Sequence, residues 1–322
     1  MKTFSFALAV ATIVWVEAEF DLVAGAAAPA ALKTILEREG YGGSPLQRRF
    51  GNHLFVHTVI NGHRTALMID TGSPRTLIDR DTIRQLGLIV RETTVPVGGV
   101  WGRKSERYSV GNLATLVMGN CTFTNVPITV ADESHINKIR GPHLDGLFGA
   151  HEMWKFGMII DCTRQMIYVN PKGPSVAAGQ GLSTFLEARG FTRIPMRFDA
   201  SQHLVIDAAL NGHRIELIVD TGASTTLLAT STARAAGVAL SPGSRINDSS
   251  AGVVPLDIGR AQQLTFGTFS VASAEVAVAN VSKEVGAGLL GEEYLSWNFG
   301  IVDVGGLNLY LRPPDSTSAK KR

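Results

Sequence analysis

Apolar and polar positions along this chain alternate mostly with a period of two, and the alternating stretches recur in the same order in both halves. Leu54 to Ile60 and Arg64 to Ile69 are apolar, β-branched runs joined by Asn61-Gly62. Both turn residues tolerate positive φ, so the segment predicts a tight β-hairpin. Strands are further predicted at 114–118, 126–131, 157–161 and 165–169. In the second half, Asn211-Gly212 repeats the hairpin device, and strands are predicted at 262–266, 274–279, 299–303 and 307–311. Helical spacing is confined to short segments: Ala30 to Arg38, Asp81 to Leu86 closed by Gly87, Leu182 to Ala188, and Ser231 to Ala236 closed by Gly237.

This recurrence is an internal duplication. A shift of 150 residues places Asn61-Gly62-His63-Arg64 on Asn211-Gly212-His213-Arg214, and Thr76-Leu77 on Thr226-Leu227. It also places Leu67-Met68-Ile69-Asp70-Thr71-Gly72-Ser73 on Leu217-Ile218-Val219-Asp220-Thr221-Gly222-Ala223. Small indels then shorten the shift, until Gly146-Leu147-Phe148-Gly149 faces Gly288-Leu289-Leu290-Gly291. The repeat covers residues 32 to 311, with the Pro/Gly/Ser-containing stretch from Pro171 to Gly181 as the expected linker. At average usage one Asp-Thr-Gly arises by chance in roughly one chain of this size in ten. Two in register point to selection for what they do.

Composition fits two ordinary domains. The chain has 322 residues, 45% hydrophobic and 18% charged, enough for two cores, and a formal charge of +2 gives no electrostatic footprint for nucleic acid. Lys2 followed by an apolar run from Phe4 to Val16 and small residues from Ala24 to Ala30 predicts a cleaved export signal over residues 1–26. An uncleaved anchor is the alternative. The expected division is therefore a signal over 1–26, a first domain over 27–175 and a second over 176–322, in a protein exported to the periplasm or beyond. No other stretch is apolar enough to span a bilayer, so no span is expected in the mature chain. Two cysteines, Cys121 and Cys162, allow either a disulfide or two buried thiols.

The duplicated turns carry the chemistry. Two carboxylates about 3 Å apart cannot both ionise, so one proton is shared and the pair can both take a proton from water and give one to a substrate. Gly72 and Gly222 permit the tight turn and free backbone N–H groups to hydrogen-bond the carboxylates. Thr71 and Thr221 can bond across to the opposite loop. Ser73 can add a hydroxyl to Asp70, whereas Ala223 offers Asp220 none, which predicts an asymmetric pair.

Competing motifs are weaker. Gly286 to Gly291 matches Gly-x-Gly-x-x-Gly but lacks a βαβ unit and aligns internally with Leu144 to Gly149, so no dinucleotide is implied. His143, Asp145, His151 and Glu152 form the best metal candidate, yet without His-Glu-x-x-His spacing and straddling a glycine turn. No cofactor and no metal are expected. His63 and His213 are expected on strand surfaces.

Hydrophobic-hydrophobic-Asp-Thr-Gly-Ser/Ala, answered in each half by Leu147-Phe148-Gly149 or Leu289-Leu290-Gly291, resembles the pepsin and retropepsin clan of aspartic proteases. The chain is most similar to exported single-chain proteins with two tandem retropepsin-like domains. The resemblance implies an all-β fold of two acid-protease β-barrel domains about a pseudo-two-fold axis, with short helices. It implies Asp70 and Asp220 as the catalytic pair, supported by Thr71, Gly72, Ser73, Thr221, Gly222 and Ala223. It also implies an extended peptide or protein substrate beneath hairpin flaps. Gly98, Gly99, Val100, Trp101 and Gly102 fit the first flap; Ser250, Ala251 and Gly252 are the plainer candidates for the second. The expected molecule is a monomeric endopeptidase that uses its two units as an internal dimer. The alternatives are an inactive peptide-binding pseudoprotease, a pairing of like units between chains, and a protease with one regulatory target.

Overall fold

The computed structural model describes residues 28–93, 108–131, 144–248 and 252–314. Its described strands fall into two sets of ten in the same order. The first lobe has β1 (Gly42–Arg49), β2 (His53–Ile60), β3 (His63–Asp70), β4 (Leu77–Asp79), β5 (Arg91–Thr93), β6 (Tyr108–Met118), β7 (Cys121–Ala131), β8 (Gly146–Gly149), β9 (Ile159–Asp161) and β10 (Met166–Val169). The second has β11 (Thr192–Phe198), β12 (Leu204–Leu210), β13 (His213–Val219), β14 (Leu227–Ala229), β15 (Ala239–Asp248), β16 (Gly252–Phe266), β17 (Phe269–Ala279), β18 (Gly288–Leu290), β19 (Ile301–Asp303) and β20 (Asn308–Leu311). Short helices punctuate both: α1 (Ala28–Arg38), α2 (Arg80–Gln85) and α3 (Ala150–Lys155), then α4 (Val176–Glu187), α5 (Thr230–Ala235) and α6 (Glu292–Trp297).

Local chemistry explains the hairpins. Asn61 and Gly62 take φ of 47° and 88°, and Asn211 and Gly212 take 49° and 81°, the paired positive values that match strand twist. The β2–β3 register, Val56↔Leu67 and Thr58↔Thr65, turns Leu54, Val56, Ile60, Leu67 and Ile69 into the core. Asp79 caps α2, its carboxylate accepting the Asp81 N–H at 3.0 Å, and Gly87 leaves the helix at φ 60°.

The lobes meet in an antiparallel sheet ordered β1–β10–β9–β19–β20–β11, three strands from each lobe. Ile160 faces Val302 at its centre, where β9 and β19 pair. Helices α1 and α4 cover this sheet, burying Leu32, Leu36, Leu182 and Leu186 against Ile159, Tyr168, Ile301 and Tyr310. Among the described residues no helix is long and apolar enough to cross a membrane.

Several elements differ from the sequence reading. The expected linker contains the start of α4, because Ser175 caps the Ala178 N–H at 3.2 Å and Ala178, Leu182 and Leu186 make a buried stripe. Its Gly181 marks close approach to α1: an added methyl would lie 3.4 Å from Ile35. Strands expected to begin at 165, 299 and 307 begin later, since Gln165, Phe299 and Leu307 take left-handed turn conformations at φ of 54°, 53° and 55°. Cys121 and Cys162 are both buried free thiols.

Candidate active site

Strands β3 and β13 bring Asp70 and Asp220 to the seam between the lobes. Each runs parallel to the later glycine-ended strand of its own lobe: Asp70 pairs with Gly149, and the Asp220 N–H donates to Leu290 O at 3.0 Å. Gly149 and Gly291 are required because a methyl on either would overlap the backbone of Arg75 or Thr225. Their N–H groups donate to the buried hydroxyls of Thr76 and Thr226 at 3.1 and 2.9 Å.

Across the seam the two turns are interlocked. Thr71 Oγ1 donates to Val219 O at 2.6 Å and accepts the Thr221 N–H at 3.0 Å. Reciprocally, Thr221 Oγ1 donates to Ile69 O at 2.7 Å and accepts the Thr71 N–H at 3.1 Å. Both threonines are wholly buried. A Thr71→Val variant would strip bonds from Val219 O and the Thr221 N–H with no water to replace them, and is expected to cost about 3 kcal/mol in urea unfolding. Thr221→Val should cost about as much and the double variant less than the sum, since both act on one ring of bonds.

The carboxylates face one another. A methyl on Gly72 would overlap the Asp220 carboxylate, and one on Gly222 that of Asp70, so each glycine is a gap filled by the opposite acid. Asp70 Oδ1 accepts the N–H groups of Gly72 and Ser73, both at 3.0 Å. Asp220 Oδ1 accepts those of Gly222 and Ala223 at 2.8 and 3.0 Å. Burial pushes the Asp70 carboxyl up, against the pull of those N–H groups. Burial and then the charge of Asp70 push Asp220 well up. The carboxyls also hydrogen-bond each other, so their titration belongs to the pair.

The expected bond from the Ser73 hydroxyl to Asp70 does not form. The Ser73 hydroxyl donates to Arg75 O at 2.9 Å and leaves Asp70 to the Ser73 backbone N–H. Ala223 supplies the same N–H to Asp220, so the two acids have like shells and the Ser/Ala difference does not set them apart. The pairing of like units between chains loses its basis, because one chain brings both aspartates together.

Of the flap candidates, Gly98, Gly99, Val100, Trp101, Gly102, Ser250 and Ala251 lie outside the described residues; Gly252 opens β16 and pairs with Asp248. In the metal candidate His143 also lies outside them. Asp145 accepts the Ala66 N–H at 2.8 Å and the Thr82 hydroxyl at 3.2 Å, and Glu152 accepts the Thr76 N–H and hydroxyl at 2.8 and 2.9 Å. Among the described residues no three His, Cys, Asp or Glu side chains converge as a metal site. His63 and His213 are exposed on β3 and β13.

The sequence reading missed the layer behind the turns. Thr76 and Thr226 were visible as a repeated pair, and that spacing was the signal. Glu152 and Glu293 were not, since the offset that aligns Gly149 with Gly291 aligns Glu152 with Tyr294. Glu293 nevertheless accepts the Thr226 N–H as Glu152 accepts that of Thr76.

A family profile described as Aspartyl protease matches residues 56–151 and 206–294, more than half of the chain, with one Asp-Thr-Gly turn and one later glycine motif in each match. No match was found among curated proteins. Among solved structures the chain is similar to an aspartic proteinase from Irpex lacteus, at 16% identity over 88% of this chain and 100% of that one, with a TM-score of 0.51. A retropepsin-like aspartic protease from Rickettsia conorii matches at 18% identity over 40% of this chain and 90% of that one, TM-score 0.31. Basic 7S globulin from soybean matches at 9% identity over 88% and 97%, TM-score 0.49. The fold is thus the two-lobed, mostly β arrangement of the Irpex lacteus proteinase.

Proposed function

The chain belongs to the aspartyl protease family, and from that premise we propose that it is an endopeptidase in which Asp70 and Asp220 share one proton and activate water. The observation that carries the reading is the mutual placement of the carboxylates, each filling the gap left by the other turn's glycine. Two facing acids that cannot both ionise offer one ionised carboxylate and one carboxylic acid side by side. The carboxylate takes a proton from water as its oxygen attacks the peptide carbonyl carbon. The acid donates its proton to the carbonyl oxygen, giving a neutral tetrahedral diol. Collapse breaks the C–N bond, with a proton delivered to the leaving nitrogen, and restores the singly protonated pair. Thr71 and Thr221 hold the acids by their loops, while the N–H groups of Gly72, Ser73, Gly222 and Ala223 orient them.

The substrate class under this reading is an extended peptide, and export to the periplasm or beyond is part of the proposal, resting on Lys2 and the apolar run from Phe4 to Val16. The test is digestion of a mixed peptide library read by mass spectrometry, with and without a statine-type transition-state mimic. Wild type should yield internal cleavages that the mimic suppresses, and Asp70→Asn should yield none. Peptide binding without turnover would instead identify the pseudoprotease.

A further inference from the structure

Helices α3 and α6 are tied to the loops that carry the aspartates. At α6, the Glu292 N–H donates to Ala223 O at 2.8 Å, and Glu293 accepts the Thr226 N–H and the Thr225 hydroxyl. At α3, the Ala150 N–H donates to Ser73 O at 2.8 Å, the His151 N–H donates to Pro74 O at 3.2 Å, and Glu152 accepts the Thr76 N–H. Displacing either helix therefore displaces the loop of Asp220 or Asp70.

Each helix is also gripped from the opposite lobe, by the same position of the repeat. Arg48 is the last but one residue of β1 and Phe198 the last of β11, and the two are separated by the 150-residue offset that aligns the turns. Arg48 reaches α6, with Nη1 2.9 Å from Glu292 Oε1 and Nη2 donating to Ser296 Oγ at 2.8 Å. The same guanidinium donates to Asn52 O and Oδ1 at 3.0 and 2.8 Å and to Cys162 O at 2.6 Å, which anchors it in its own lobe. Phe198 meets α3 edge-on, its ring centroid 5.7 Å from His151 at 71° and 6.1 Å from Trp154 at 82°. One seam is ionic and the other aromatic, in equivalent places.

We propose that Arg48 and Phe198 are positioning residues, each setting the aspartate loop of the opposite lobe by gripping the helix behind it. The consequence for turnover rests on the proposed dyad; the grip itself does not.

The ionic seam responds to pH. Glu292 is fully buried and faces the Arg48 guanidinium, the Ser296 hydroxyl and the Cys162 thiol, with Glu293 beside it and Asp161 acting on Cys162. Burial pushes its carboxyl up to about 7 despite Arg48. Opening the seam to water would return it to the ordinary carboxylate range. Opening α6 to water is therefore hardest with Glu292 protonated and eases as pH rises through about 7, although the contact with Arg48 is itself stronger with Glu292 ionised.

Amide hydrogen exchange on the full chain tests this. Arg48→Met should speed exchange at least about tenfold over 291–297, as losing one charge-assisted bond would, and leave 149–155 unchanged, while the interlocked turns 70–76 and 220–226 respond together. Phe198→Ala should do the reverse. If Arg48→Met does not fold, Arg48→Lys, which keeps the charge without the fork, and Ser296→Ala report on the same segments. Acceleration confined to each residue's own lobe would overturn the proposal. In wild type, protection over 291–297 corrected for intrinsic exchange should fall from pH 6 to pH 8, and Glu292→Gln should flatten that change; a flat wild-type profile would remove the pH response. In peptide cleavage both positioning variants should lower kcat and keep KM, and a rise in KM alone would overturn the positioning role. A wild type that cleaves nothing would defeat the dyad reading yet leave the crossed exchange pattern intact, so the two failures are distinguishable.

Discussion

Asp220→Asn is expected to lower kcat for peptide cleavage by about 10⁴-fold or more, since one substitution removes both a proton donor and its acceptor counterpart. Asparagine keeps the shape of the side chain and can still accept the Gly222 and Ala223 N–H groups. What it removes is an ionisable group that burial and Asp70 hold well above the usual carboxylate range. The variant should therefore be no less stable than wild type at neutral pH, and more stable by about 1–3 kcal/mol where the pair would otherwise be charged. Opposite signs on activity and stability mark a group selected for chemistry. Urea unfolding beside a cleavage assay reads both, and an inactive variant that is also strongly destabilised would make Asp220 a structural acid.

Much of this site was legible in the sequence because it depends on local rules. Asn-Gly between alternating apolar runs specifies a hairpin; a repeated Asp-Thr-Gly after an apolar strand specifies where that hairpin delivers an acid. What stayed hidden depends on contacts between distant segments. Strand β1 was missed because Gly42 to Arg49 shows little apolar alternation, and β11 because its alternating Ile194, Met196 and Phe198 are interrupted by Pro195; both become strands by pairing with β10 and β20. Helices α3 and α6 follow Gly149 and Gly291 with no side-chain cap and are held by bonds to the turns. The role expected of the Ser73 hydroxyl failed for a related reason. Which acceptor a hydroxyl reaches depends on the turn's path, and the path brings Arg75 O within 2.9 Å.

Thermal stability is expected to fall as pH rises from about 4.5 to about 8, the reverse of ordinary acid denaturation. Asp70, Asp161, Asp220, Glu292, Glu293 and Asp303 are all pushed up, each chiefly by burial. A carboxyl raised in the folded state takes up a proton on folding. Its stabilisation is fully present below the unfolded value, near 4, and is lost as pH climbs through the folded one. For Asp303, pushed from 3.8 to about 6, and Glu292, pushed from 4.5 to about 7, the window spans roughly pH 4 to 7. Each shift corresponds to about 3 kcal/mol across that window. His53 opposes them: burial pulls it down, so it loses stability as pH falls below its ordinary value, but it is one group against six. For a chain of this size the net change should lower Tm by about 10 °C between pH 4.5 and 8. Scanning calorimetry across that range measures it, and Asp303→Asn should reduce the slope without touching the dyad. A Tm that climbs with pH would mean that these acids are charged and well solvated in the folded chain.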